Sequence, residues 1–138
     1  MRWTRTRRRD ASGAAAVEFA LVVPLLLVII LGIISYGFML SFRQSISQAA
    51  AEGARAAAVA PASADRQALA FEAIENAIGD SCGSAYLTCA TSTPASCSTC
   101  LSVTVTYAYT ADPSKPTFGF GIAMPDELTY TAVSEISQ

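Results

Sequence analysis

Histidine is absent from this 138-residue chain, which removes the side chain that most often serves as a general base near neutral pH. No phosphate-binding glycine loop appears either, and the adjacent acids Asp126 and Glu127 lie where a turn with solvated side chains is expected. These absences point away from catalysis, and neither a cofactor nor a small-molecule substrate is expected. Charge is scarce, at 14% of residues, and between Phe19 and Leu40 there is none at all.

That uncharged run holds about 22 residues, and at 1.5 Å per helical residue it reaches across the roughly 30 Å hydrocarbon core of a bilayer. A core helix of a soluble domain needs a polar face. Leu21, Val22, Val23, Leu25, Leu26, Leu27, Val28, Ile29, Ile30, Leu31, Ile33 and Ile34 leave none. The segment therefore reads as a membrane anchor, with Pro24 as a kink in a membrane helix. Gly32 and Gly37 are five apart and so do not form the four-residue small-residue repeat of helix dimers.

The net charge of −2 averages two unlike parts. Arg2, Arg5, Arg7, Arg8 and Arg9 precede the run, whereas only Arg43 and Arg55 follow soon after it. By the positive-inside rule the N-terminus is cytoplasmic and the chain beyond Leu40 lies outside. Beyond Leu40, nine acids (Glu52, Asp65, Glu72, Glu75, Asp80, Asp112, Asp126, Glu127 and Glu135) face four bases (Arg43, Arg55, Arg66 and Lys115). The arginines are explained by topology and anionic headgroups, so no nucleic-acid partner is expected. The run exceeds the 7–15 residues of a signal-peptide core, and Ala62-Ser63-Ala64 lies too far beyond it to serve as a signal cleavage site.

Glu18 is the odd residue, a carboxylate at the threshold of the apolar run, where an ionisable group costs up to roughly 2–4 kcal/mol, less near the interface. It stands fifth after Gly13, with the small residues Ala14, Ala15, Ala16 and Val17 between. Carboxylates near a helix N-terminus also gain about 0.3–1 kcal/mol from the macrodipole, the plainer account of its position.

The run Gly13-Ala14-Ala15-Ala16-Val17-Glu18-Phe19-Ala20-Leu21-Val22-Val23-Pro24-Leu25 is followed by Gly32 and Tyr36-Gly37-Phe38. Then come Arg43-Gln44-Ser45 and Ala50-Ala51-Glu52-Gly53-Ala54-Arg55-Ala56-Ala57. Together these resemble the TadE-like family of minor pilins and pseudopilins of the tight-adherence (Tad, or Flp) pilus machinery. The resemblance implies cleavage between Gly13 and Ala14 by a membrane-embedded prepilin peptidase. It also implies pairing of Glu18 with the new amino group, in the same or a neighbouring subunit. The partners it implies are the membrane, other Tad pilus subunits and inner-membrane assembly proteins. On this reading Gly13 lies just outside the part that must stay helical.

Residues 1–13 then form a cytoplasmic basic leader, 14–60 a long helix with its transmembrane half at about 19–40, and 61–138 a small extracytoplasmic domain. Beyond Leu40 the helix is expected to continue, because Phe42, Ile46, Ala49, Ala50, Gly53, Ala56, Ala57 and Ala60 recur at helical spacing before Pro61 breaks it. Ser63 or Asp65 can cap a second helix that stops at Gly79. From Asp80 to Thr99 a loop is expected. The alternating Leu101–Tyr109 and then Leu128–Ile136 form antiparallel strands. Between them lies a Pro- and Gly-rich connection with exposed Phe118 and Phe120, whereas Tyr107 and Tyr109 are expected to be buried. The fold class is α+β: a long pilin-like helix, a short helix and a small antiparallel sheet beside a disulfide-stapled loop.

Outside the membrane Cys82, Cys89, Cys97 and Cys100 should oxidise to two disulfides. Of three connectivities the preferred one is nested, Cys82 with Cys100 and Cys89 with Cys97, which avoids the tight Cys97-Ser98-Thr99-Cys100 loop. Their spacing does not make two zinc knuckles, so no metal is expected, and Cys97-x-x-Cys100 lacks the helix-start setting of a thioredoxin-like centre. Two functions stand open. One is a processed TadE-like subunit of a pilus. The other is an unprocessed single-pass envelope protein with a partner-binding, disulfide-bonded ectodomain.

Overall fold

The computed structural model describes residues 8–136. The basic head with Arg2, Arg5 and Arg7 lies outside the described residues, as do the side chains of Arg8 and Arg9. The elements run in the order α1 (Arg8–Val59), α2 (Arg66–Ile78), β1 (Leu87–Ser92), β2 (Cys100–Ala108) and β3 (Glu127–Glu135), with a 3-10 turn at Gly121–Ala123 before β3. This is the expected α+β architecture.

Helix α1 has 52 residues, about 78 Å at 1.5 Å per residue. It passes through Pro24 without ending. It also begins before Gly13, not after it, so the expectation that the glycine sits outside the helix is corrected. Ala, Arg and Ser around Gly13 offer no stop signal, and one interior glycine costs only about 1 kcal/mol against alanine. Its second half buries Ile46 and a seam of small side chains, Ala49, Ala50, Ala54 and Ala57, with Ala60 buried just past its end. Alanines at this spacing let α2 and the sheet approach the α1 backbone closely.

Helix α2 packs on α1. Asp65 caps it, its carboxylate accepting from the Gln67 and Ala68 amides, and Gly79 closes it in the left-handed conformation (φ 81°) that glycine adopts at no steric cost. Ala70 and Ile74 are its buried contacts. A Cβ built on Gly53 would stand 2.8 Å from Ile74 Cγ1 and 3.1 Å from the Ala70 carbonyl oxygen, so this helix crossing depends on the missing side chain.

The sheet has the order β1-β2-β3, antiparallel throughout. Val103, Val105, Tyr107 and Tyr109 turn inward with Leu87 and Leu128 and share one core with α1 and α2. On the outer face Thr104 meets Thr131 at 2.9 Å and Thr106 meets Thr129 at 3.1 Å, a polar ladder across β2 and β3. Ser134 of β3 donates to the Ala54 carbonyl of α1 at 2.7 Å, which fixes the strand against the alanine seam.

Two expectations change. The stretch read as a loop from Asp80 to Thr99 contains β1, whose single aliphatic anchor, Leu87, is fully buried opposite Tyr107. The nested disulfides give way to sequential ones, Cys82–Cys89 and Cys97–Cys100. The strand explains both. Cys82 lies at the Leu87–Tyr107 end of the hairpin, where the Gly83 amide donates to the Leu87 carbonyl. Cys100 begins β2 at the opposite end, roughly 23 Å along a strand that rises about 3.3 Å per residue, beyond the reach of a disulfide. One bridge thus ties the α2–β1 connection to β1 and the other closes the hairpin turn.

The Gly53 contact yields the first prediction. Gly53→Ala in the detergent-solubilised full chain should lose about 1–3 kcal/mol by overpacking, read as a lower urea midpoint in near-UV circular dichroism. Gly37→Ala, whose new Cβ meets nothing within 4 Å, should lose none.

Candidate functional site

The chain divides its long helix between two environments. Among the described residues from Gly13 to Ile34, none is buried. Phe19, Leu21, Leu25 and Ile33 each expose more than three-fifths of their surface. A helix at the core of a soluble fold would hide these side chains; here nothing among the described residues buries them, and this is the one described helix long and apolar enough to cross a membrane. Leaving such a surface in water costs roughly 1.5–3 kcal/mol per large side chain, so lipid or partner helices must cover it.

Gly13, Ala14 and Glu18 are all exposed on this half. Ala14 and Glu18 are four residues apart in α1, hence neighbours on one face, separated by about 6 Å of rise. The structure therefore brings the expected processing site and the expected assembly carboxylate together, on an uncovered surface and away from the globular part. The four cysteines lie at the other end of the chain's architecture, in and beside the β1–β2 hairpin.

Where α1 leaves its apolar stretch, the β2–β3 connection is fastened to it, an arrangement that reading the sequence did not reveal. The base of that loop is closed by Thr110, whose hydroxyl donates to Asp126 at 2.9 Å. Its first half is held by Asp112, which is buried and accepts from the Tyr107 hydroxyl, the Ser114 amide at 2.8 Å and the Ser114 hydroxyl at 2.9 Å. Lys115 Nζ stands 3.7 Å from Asp112 and lies over the Phe42 ring at 4.1 Å. Phe42 of α1 in turn packs edge-on against Tyr107 at 4.6 Å between ring centroids. Farther out, the buried Ser35 hydroxyl donates to the Thr117 carbonyl at 3.1 Å, and Phe120 lies over Gly32 at the distance a Cβ there would find comfortable. No periodicity marks Asp112 in the sequence; its only signal is a lone acid close to paired tyrosines.

Burial disfavours the charged form of Asp112, yet the hydrogen bonds from Tyr107 and Ser114 and the Lys115 charge outweigh it and hold the carboxyl below its usual range. Burial first, and then the Asp112 acceptor, push the Tyr107 phenol well above its usual range, so it stays a neutral donor.

Gly79-Asp80-Ser81-Cys82-Gly83 spells the Gly-x-Ser-x-Gly pattern of hydrolase nucleophile elbows. An elbow is a strand-to-helix turn with a histidine in reach; this segment runs from a helix cap into a strand, its Cys82 is bridged, and the chain has no histidine. Among the described residues, no three His, Cys, Asp or Glu side chains are gathered as metal ligands.

Residues 13–55 match the family model described as TadE-like protein. The match covers α1 from Gly13 to Arg55 and leaves α2 and the sheet outside it. The resemblance carried by the residues of the first helix is thereby shown over that segment. No curated protein and no solved structure matches the chain.

The Asp112 cluster yields the second prediction. Asp112→Ala leaves the buried Tyr107 hydroxyl unpaired and should cost about 1–3 kcal/mol. Because the folded pKa of Asp112 is below its unfolded value, the unfolded state takes up the proton first, and this stability is lost as pH falls. The advantage of the native protein over Asp112→Asn should therefore be full above the ordinary value of 3.8 and shrink below it. Unfolding midpoints of both proteins across that range check it.

Proposed function

We propose that this chain, TadE-like over residues 13–55, is a non-enzymatic minor pilin or pseudopilin that takes part in initiation or assembly of a Tad (Flp) pilus. Its α1 is held in the cytoplasmic membrane, with the N-terminus in the cytoplasm and residues 61–138 outside. The observation that carries the reading is the division of α1: an uncovered apolar half, continuous with a half that seats a small domain. The two disulfides support the outer location, since they persist in oxidising compartments.

A prepilin peptidase cuts between Gly13 and Ala14 in this proposal. Local unwinding of α1 around Gly13 gives the peptidase its extended bond. The freed amine of Ala14 and the Glu18 carboxylate then face each other within one turn, or across two subunits. Either pairing lowers the cost of a charge in lipid. Other pilus subunits meet the apolar half of α1, and assembly proportionately depends on helix packing. The helix that runs unbroken through Gly13 favours one competing reading, an unprocessed single-pass envelope protein whose ectodomain binds a partner.

Intact-mass analysis and N-terminal peptide mapping from native membranes, with and without the prepilin peptidase, test the proposal. An N-terminus at Ala14 that vanishes without the peptidase is the expected result, and Glu18→Ala should leave that cleavage intact while lowering recovery in filaments. An intact leader in both strains would leave the envelope-protein reading, and a start near Asp65 would mean that α1 is a cleaved signal.

A further inference from the structure

The tip of the β2–β3 loop has properties that neither its fold nor the pilus reading requires. From Pro116 to Pro125 it carries no charge, while Phe118, Phe120, Ile122 and Met124 alternate with small residues. Phe118 is 50% exposed and Ile122 is fully exposed, although a loop free to choose would bury one of them. Phe118 also holds a positive φ of 43°, a conformation uncommon for a bulky side chain. At Thr117 and Phe120 the tip is nevertheless tied to α1. Ser35 and Gly32 hold it against α1, five and eight residues inside the apolar run that ends at Leu40, or about 7 and 12 Å along the helix.

We propose that this tip is a lipid-contacting wedge, seated at the headgroup–acyl boundary of the leaflet from which α1 emerges, which sets how deep the helix lies. The inference rests on the reading of α1 as a membrane span. Three features favour lipid over a protein partner. Phe120 of the tip lies in one shallow, mostly apolar depression with Val28, Ile29, Gly32 and Ile33 of α1. Amphipathic elements seat apolar side chains about 5–10 Å into this boundary, the depth that the Ser35 contact provides. The tip also satisfies much of its own backbone, as lipid demands: the amides of Phe120, Ala123 and Met124 donate to the carbonyls of Thr117, Phe120 and Gly121.

The position of the wedge has a consequence at the far end of α1. If the hydrocarbon ends near Ser35 and not at Leu40, the roughly 20 residues needed to span it begin near Ala16. Glu18 then lies inside the acyl boundary, where a charge needs a partner, and not in the headgroups, where water suffices. The loop thereby couples the seating of the outer domain to the environment of the carboxylate.

Tryptophan quenching in bilayers with bromines at shallow or deep acyl positions tests this. In the full chain with Trp3→Phe, single tryptophans are placed by Phe118→Trp, by Ile122→Trp, or at mid-helix by Leu26→Trp. The wedge predicts that both loop tryptophans are quenched more by shallow than by deep bromines, while the Leu26 position is quenched most by deep ones. Loop tryptophans untouched by bromines and open to aqueous acrylamide, with the helix position still quenched, overturn the wedge and leave the membrane span standing. Loop tryptophans shielded from both quenchers, increasingly so as protein is added per lipid, overturn it in favour of a second copy. No quenching at any position overturns the membrane reading itself.

Discussion

Everything in this molecule hangs on one helix that must satisfy two solvents. From Phe19 to Ile34 it is apolar all round and none of its residues is buried; its second half carries a seam of alanine and glycine on which the small domain is built. The inner face of the three-stranded sheet is apolar and has to be covered. It is stable because Val103, Val105, Tyr107 and Leu128 close against Ile46, Ala50 and Ala54. The small domain is thus folded on its own anchor, and loss of the helix would remove one wall of its core.

The junction between the two halves is the most heavily fastened part of the molecule. Phe42 lies against Tyr107 under the Lys115 ammonium, and Asp112 gathers the phenol, a backbone amide, a hydroxyl and the ammonium. A buried carboxylate is stable only with such a full set of donors. The fastening makes the β2–β3 connection part of the helix's surroundings, so that a movement of the membrane segment is felt by the sheet.

Much of this was legible in the residues. The continuation of the helix beyond Leu40 followed from helical spacing with no breaker between there and Pro61, α2 from the Asp65 and Gly79 caps, and β2 from strict alternation. Local chemistry decides each of these. What stayed hidden depends on contacts far apart in sequence. β1 has one large aliphatic residue, Leu87, and threonine, cysteine, alanine and serine elsewhere, so its pattern reads as a stapled loop; only pairing with β2 makes it a strand. The disulfide pattern followed that miss, since the strand separates Cys82 from Cys100. The contacts of Ser35 with Thr117 and of Gly32 with Phe120 span more than eighty residues, and neither leaves a periodic signal. The resemblance puts Gly13 just outside the part that must stay helical, whereas the folded chain continues its helix through it.

The account stands or falls on whether α1 is one rod shared by lipid and by the folded domain. Amide hydrogen exchange of the full chain in lipid nanodiscs, read by fragmentation mass spectrometry, tests this most directly. The account predicts continuous slow exchange from Phe19 through Ala57, with protection passing from lipid to sheet without a gap at Ser35 to Ile46. Fast exchange confined to that junction would mean that anchor and domain are two bodies joined by a hinge, and would contradict it.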